Sequence, residues 1–299
     1  MVLSYTFDSD RAMTLEEYIE YLDRNVDVHD QDSLAESASY LHRLSLDSTL
    51  LHPLIRASLV GADTIGVQEG NSYSDATFIL ARPKSGRFFI RANIWKVPKE
   101  RAGSTDHDTQ VYSYDLAHDH NFDFLTVGYC GPGYTTRTYE YDSRDILGVV
   151  GEKVGLRFVE ETTLPRGKVM YYRKSRDVHT QKPPEALSVS VNLMVNATDQ
   201  SRRQQYYFDT DAGSILGYTG GLISDRVSLI EFAELLGEEA IEPLLALANR
   251  HLCHRTRAAA IRAVLALAPG ERDGLLSSLG GDKSVHVQRE LAPEAFPSP

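Results

Sequence analysis

His118 and His120, separated by one residue, with His179 further along, are the residues of this 299-residue chain best suited to chemistry. Side chains two positions apart on an extended strand project from the same face. His118 and His120 can therefore offer two imidazole nitrogens to one ion. His179 follows after several strand-like runs, directly before Thr180-Gln181-Lys182-Pro183-Pro184 and a further apolar run. Imidazole suits iron, zinc, copper and nickel alike, so the donors point to a divalent metal without choosing it. The other histidines carry no such pattern. His29, His42, His52, His251, His254 and His286 stand in helical or polar contexts, and His107 stands in the polar run STDHDTQ, where solvation is expected.

A second group of residues is suited to shaping a pocket. On a regular strand Asp123 points away from His118 and His120, so a hydrogen-bonded polar role is expected unless a bulge recruits it. Tyr171 and Tyr172 face opposite sides of one strand, so at most one looks inward, and Tyr171 is carried as a candidate. Ser188, Ser190 and Asn192 share a strand face and can supply polar groups if that face is interior. Trp95 reads as a core anchor.

The elements that must position these residues change character twice. From Thr14 to about Gly61 the apolar spacing is helical, with capping boxes expected at Thr14–Glu17 and Ser33–Glu36 and a third helix over Leu50–Leu59. Between about Ala76 and Asp209 the period falls to two, with aromatic and β-branched enrichment. Strands are expected at ATFILAR, RFFIRANIW, VYSY, FDFLTVGY, TTRTYEY, VGLRFVEET, KVMYYR, LSVSVNLMV and QYYFD. Many short strands separated by Gly/Pro turns mean a sandwich or barrel. From Ser228, read as another capping box, the helical period returns. Leu244 and Leu275 begin similar helix pairs that resemble two short HEAT-type repeats. So short an array buries too little by itself, so the tail is expected to pack on the barrel or on another subunit.

Composition narrows the class. The net charge is −11 and no Lys/Arg run offers a nucleic-acid or membrane footprint. No apolar stretch reaches bilayer-spanning length, and the first residues lack a secretory pattern. Two cysteines, Cys130 and Cys253, are too few for a disulfide framework. A cytoplasmic setting is expected.

The segments AHDHNFDFLTVGYCGPG and LPRGKVMYYRKSRDVHTQKPPEALSVSVNL resemble the two motifs of the cupin superfamily, over roughly residues 75 to 210. Among cupins the chain most resembles the thiol dioxygenases, such as cysteine dioxygenase, whose motif also begins His-Asp-His. The resemblance implies a mainly β fold: a cupin-type β-barrel (double-stranded β-helix) over residues 64–225. An N-terminal helical segment, 1–63, would pack on it and a HEAT-like helical tail, 226–299, would follow. It implies Fe(II) on His118, His120 and His179, with Zn, Mn, Ni or Cu as other candidates. It also implies an upstream Arg that holds a substrate carboxylate, for which Arg82 and Arg91 are the nearest positions. The chain departs from the pattern at Leu125, where most cupins carry a Glu ligand; at Cys130, too far along for the cross-linked Cys; and at Pro183, where an Asn is usual.

The function expected on this basis is an Fe(II)-dependent oxygenase or dioxygenase that acts with O2 on a small amino-acid-like or carboxylate substrate. The His-x-Asp/Glu pair that 2-oxoglutarate oxygenases need is missing. The alternatives are a metal-dependent isomerase, lyase or hydrolase on the same barrel, and a non-catalytic ligand-sensing cupin. The helical tail is the expected route to a homo-oligomer or a protein partner.

Overall fold

The computed structural model describes residues 3–60, 74, 76–98 and 111–295, so His107 and the expected boundary at residue 63 lie outside the described residues. The chain divides into two compact units, Met1–Asp142 with Gly155–Ala197, and Ser143–Val154 with Thr198–Pro299. The expected boundary after residue 225 falls inside a helix of the second unit.

The first unit begins with β1 (Leu3–Tyr5) and four helices: α1 (Leu15–Asn25), α2 (Gln31–Glu36), α3 (Ala38–Ser45) and α4 (His52–Val60). Thr14 caps α1 through the expected reciprocal box with Glu17. The second box is not formed. Asp30 caps α2 by accepting from the Ser33 amide, which places Ser33 inside the helix, where its hydroxyl accepts from the Asp27 amide. Pro53 sits in the first turn of α4, where its missing N–H costs nothing.

The strands follow as β2 (Thr77–Ala81), β3 (Phe88–Trp95), β4 (Phe124–Cys130), β5 (Thr135–Glu140), β6 (Arg157–Thr163), β7 (Val169–Tyr172), β8 (Asp177–Lys182) and β9 (Ser188–Val195). Two antiparallel sheets result, one of six strands in the order β1-β7-β4-β9-β3-β2 and one of three in the order β6-β5-β8. Among the described residues no ladder closes the sheets into the expected barrel. The β8 edge of the small sheet pairs instead with short bridging segments, through Tyr114–Gln181 and His118–His179. The expected strand VYSY is not formed. Val111 and Tyr112 are helical, and the left-handed backbone at Ser113 and Asp115 leaves only a bridge at Tyr114.

Alternation along the large sheet sorts its side chains into two layers. Phe88, Ile90, Leu125, Val127, Val169, Tyr171, Val191 and Leu193 face the N-terminal helices, where Tyr18, Leu22, Leu34 and Leu41 complete a core. Phe89, Trp95, Phe124, Met170, Tyr172 and Met194 face the other way and form a second core with Tyr112, Tyr114, Tyr134 and Leu164. Gly128 is required where β4 passes the Leu164–Pro165 turn, because a Cβ there would lie 2.1 Å from the Pro165 carbonyl oxygen.

The second unit holds β10 (Tyr206–Asp209) and β11 (Ser214–Tyr218), an antiparallel hairpin extended by a bridge from Lys153 to Ser214. The helices are α5 (Leu222–Ala233), α6 (Ile241–Arg250), α7 (His254–Leu267), α8 (Arg272–Leu279) and α9 (Val285–Leu291). Ser228 lies within α5, whose N-cap is Gly221, so the expected capping box is absent. The apolar stripes pack in part on one another, while Leu229, Phe232, Leu235 and Leu236 stay exposed. Ile230, Leu244, Ile261, Val264, Leu275 and Val287 form one core, with α7 packed by α5, α6 and α9. Among the described residues no helix is long and apolar enough to cross a membrane.

Candidate metal centre

The three histidines converge, although His118 forms only an isolated bridge and His120 lies in no strand, both ahead of the start of β4 at Phe124. His118 and His179 exchange both backbone hydrogen bonds, His118 N–H to the His179 carbonyl at 3.1 Å and His179 N–H to the His118 carbonyl at 2.9 Å. This pairing places the two residues directly opposite each other. The Ser175 amide donates to the His120 carbonyl at 2.7 Å, which anchors the third. Ser113, Asp115 and Ser175, the three non-glycine residues with positive φ among those described, all lie in the segments that carry the histidines. Backbone strain concentrated at a site of convergent side chains is common where function fixes geometry.

The turn between β7 and β8 sets where His179 begins. Arg173 forms a bidentate ion pair with Asp177, Nε to Oδ2 at 2.9 Å and a terminal nitrogen to Oδ1 at 2.6 Å. The same carboxylate accepts from the Arg173 amide at 2.7 Å. His179 lies two residues beyond this lock.

One ligand nitrogen from each histidine lies within 4.8 Å of the others, and among the described residues no Asp, Glu or Cys joins the group. His120 Nε2 and His179 Nε2 are 2.9 Å apart. Two cis donors about 2.0–2.1 Å from one ion would stand at about that separation. His118 Nδ1 is 2.8 Å from the Leu116 carbonyl, which can only accept, so Nδ1 carries the proton and Nε2 the lone pair. The Gln181 side-chain amide lies 3.0 Å from His179 Nδ1, and its oxygen is buried without a partner. Oxygen and nitrogen of an amide exchange by a simple turn. Turned onto Nδ1–H, that oxygen gains a partner and leaves Nε2 as the ligating atom, the usual way an outer residue sets a ligand's tautomer. Burial lowers the His118 pKa. Burial, and then the neighbouring His118 and His120, hold His179 well below the ordinary imidazole value. Neutral imidazoles are the form that a metal binds. The donor set fits a divalent ion.

The histidines line one part of a cavity of about 260 Å³. Arg91, Asn93, Thr126 and Asn192 line it from the large sheet, with Trp95, Tyr112, Phe124 and Tyr134 as its aromatic wall. Trp95 and Tyr134 have ring centroids 4.4 Å apart. Burial pushes the Tyr134 phenol up to about 12, so it stays protonated. Among the described lining residues Arg91 is the formal cation and no carboxylate is present.

Arg82 and Tyr171 are not part of this group. Arg82 is exposed past the end of β2, with its guanidinium 5.6 Å from the Phe89 ring centroid. Tyr171 belongs to the opposite layer, beneath the N-terminal helices, and donates to Asp123 at 2.8 Å. Asp123 also accepts from Gln31 and from the Lys174 amide, so it is a hydrogen-bonded structural carboxylate away from the cluster. Of the three polar residues on β9 only Asn192 lines the cavity. Ser188 accepts from the Gly133 amide and Ser190 accepts from Trp95. Sequence reasoning did not single out Gln181, Asn93 or Tyr134 as site residues, although the two-residue offsets from His179 and Arg91 were available as a signal.

No known protein family and no curated protein matches the sequence. Among solved structures, the chain is similar to RmlC from Streptococcus suis at 13% identity over 40% of this chain and 50% of that one, with a TM-score of 0.24. It is similar to a salicylate 1,2-dioxygenase from Pseudaminobacter salicylatoxidans at 10% identity over 48% of this chain and 32% of that one, with a TM-score of 0.25. A third likeness is to the non-heme alpha-ketoglutarate-dependent epimerase SnoN, at 14% identity over 60% of this chain and 87% of that one, with a TM-score of 0.29. The chain thus spans about half of the first structure and about a third of the second. TM-scores this low establish neither family nor reaction.

Proposed function

We propose that this chain is an Fe(II)-dependent oxygenase that acts with O2 on a small carboxylate substrate. The observation that carries the reading is the cluster itself: three imidazoles, His179 buried and His118 and His120 half-buried, converge on one cavity that also holds Arg91. Three neutral donors leave the charge of a divalent ion uncompensated and positions on it open to other ligands. The chemistry iron(II) supplies in such a setting is activation of O2 beside a bound substrate.

The remaining work falls to the chain's own residues. Arg91 offers a planar fork to a carboxylate, a geometry that Lys does not reproduce. Trp95, Phe124 and Tyr134 exclude water from the site and restrict the substrate's orientation. A hydrolase or isomerase on the same metal needs a positioned general base. Metal content and O2 uptake separate that alternative from the oxygenase.

The test is metal analysis of untagged protein, followed by anaerobic Fe(II) loading and O2-uptake assays with thiols, amino acids and aromatic carboxylates. Uptake is expected to depend on substrate and to proceed without 2-oxoglutarate. Tightly held zinc with no uptake across the panel overturns the proposal, as does uptake that requires 2-oxoglutarate.

A further inference from the structure

The orientation of one buried amide tells what the cavity wall offers a ligand. The indole N–H of Trp95 can only donate, and it donates to Ser190 Oγ at 3.0 Å. The Ser190 proton then goes to Asn192 Oδ1 at 3.3 Å, and Thr126 Oγ1 donates to the same oxygen at 2.6 Å. Two hydroxyl donors fix the oxygen end of Asn192, so the amide NH2 is the end left for the cavity that Asn192 lines. Asn93 presents its oxygen to one hydroxyl, Oδ1 accepting from Thr77 Oγ1 at 3.2 Å. Strand register places Arg91 opposite Asn192, and Asn93 shares the Arg91 face two residues on. Guanidinium and two amide NH2 groups thus stand side by side, a wall that donates.

We propose that this wall makes the site selective for carboxylates bearing an oxygen acceptor, keto or hydroxy, on the adjacent carbon, and makes it reject the corresponding ammonium compounds. The proposal rests on reading the cavity as the substrate site. Arg91 takes the carboxylate, and Asn192 and Asn93 donate to the neighbouring oxygen. An ammonium group in that place faces the same three donors, and the described lining residues hold no negative charge to offset its own. A site built around one hydrogen-bonding pattern discriminates strongly against a ligand that leaves its buried groups unpaired. The aromatic wall of Trp95, Tyr112 and Tyr134 suits an apolar or aryl body on the same acid.

Trp95 is the single tryptophan of the chain and lines the cavity, so its fluorescence reports binding without turnover. The probes are phenylglyoxylate, mandelate and phenylglycine, which share a phenyl ring and a carboxylate and differ only in keto, hydroxy or ammonium at the carbon between. They are titrated into metal-free and Zn(II)-loaded protein. The expected result is that phenylglyoxylate and mandelate bind at least tenfold more tightly than phenylglycine. Asn192→Asp, with folding checked by thermal unfolding, is expected to erase or invert that ranking. Asn93→Asp serves the same purpose if the first variant does not fold. Equal or tighter binding of phenylglycine to the unaltered protein, no binding of any probe, or an unchanged ranking in a folded variant overturns the proposal. The ranking needs no oxygen chemistry. Failure of O2 uptake with the ranking intact therefore counts against the oxygenase alone, and uptake with the ranking absent counts against the wall alone.

Discussion

Single side chains divide between the metal cluster and the layer beneath it, and substitution separates the two roles. Alanine at His118, His120 or His179 is expected to abolish stoichiometric metal while leaving circular dichroism unchanged. Gln181→Leu removes only the partner of His179 Nδ1, and outer residues of this kind typically change affinity by about 10- to 100-fold. Metal retained at full affinity in any of these four variants would remove that residue from the centre. Tyr171→Phe makes the opposite case. It deletes one donor to the buried Asp123, at a cost of about 1–3 kcal/mol, and is expected to leave metal content untouched. Asp123 itself has a raised pKa because burial outweighs the bonds from Tyr171, Lys174 and Gln31. The folded chain therefore holds that proton more tightly than the unfolded chain does. Its contribution is complete at pH below the unfolded value and is lost as pH rises through the raised native value. Asp123→Asn is expected to flatten the fall in stability across that acidic window, measured by urea unfolding at stepped pH. An unchanged slope would show that Asp123 is not the group titrating. The histidines are legible in sequence because alternation on an extended backbone is a local rule. Tyr171 and Arg82 were not, since alternation says that two neighbours face apart without saying which face is the cavity.

At the scale of elements, the turn between β7 and β8 carries more weight than its length suggests. Asp177 is 1% exposed, and its carboxylate is matched by Arg173. Breaking a buried pair from one side typically costs about 3–5 kcal/mol, so Arg173→Ala is expected to lower stability by that order. It is also expected to weaken metal binding, because β8 begins at the lost contact. Normal metal affinity in a folded Arg173→Ala protein would show that the turn does not position His179. The helix starts give a sharper contrast. Thr14→Ala removes a formed capping box and is expected to cost about 0.5–2 kcal/mol. Ser228→Ala replaces an exposed residue in the body of α5 and is expected to be neutral or to stabilise by a few tenths of a kcal/mol, about the helix-propensity difference. The Ser-x-x-Glu spelling at Ser33 and Ser228 matches that at Thr14, yet only Thr14 sits at a helix start, because Asp30 and Gly221 begin α2 and α5 earlier. Strand periodicity fared better, and eight of the expected strands correspond to β2–β7, β9 and β10. The short strands β1, β8 and β11 have too few residues, or too polar a composition, to show a period of two. VYSY fails for another reason: its aromatic residues are buried by tertiary packing around Trp95 rather than by a strand.

For the whole molecule, the division of the chain decides which truncations survive. Every described residue lining the cavity belongs to the first unit, while Ser143–Val154 crosses into the second. There Val154 N–H donates to the Gly213 carbonyl at 2.8 Å and Gly151 N–H to the Ile215 carbonyl at 2.9 Å, which ties that segment to the β10–β11 hairpin. The hairpin is tied in turn to the helices by the Arg255 guanidinium, 4.0 Å from the Tyr218 ring centroid, and the segment before the hairpin by Arg226, bonded to the Ser201 carbonyl at 3.0 Å. A cut after Asp225 severs α5 ahead of Val227 and Ile230 and removes Leu244, Ile261 and Val264, each fully buried side chain contributing roughly 1.5–3 kcal/mol. That truncate leaves the hairpin without its helices and is expected to aggregate. Removal of the whole second unit is a different experiment: the chain ends at Ala197, and a flexible linker replaces Ser143–Val154. The first unit keeps both of its cores and all three histidines, and it is expected to remain soluble and to bind one equivalent of divalent metal. Size-exclusion chromatography with metal analysis compares the two. A soluble, equally stable product from the cut after Asp225 would show that the helical core contributes little to folding. A folded first unit without metal would show that the second unit supplies something the centre needs.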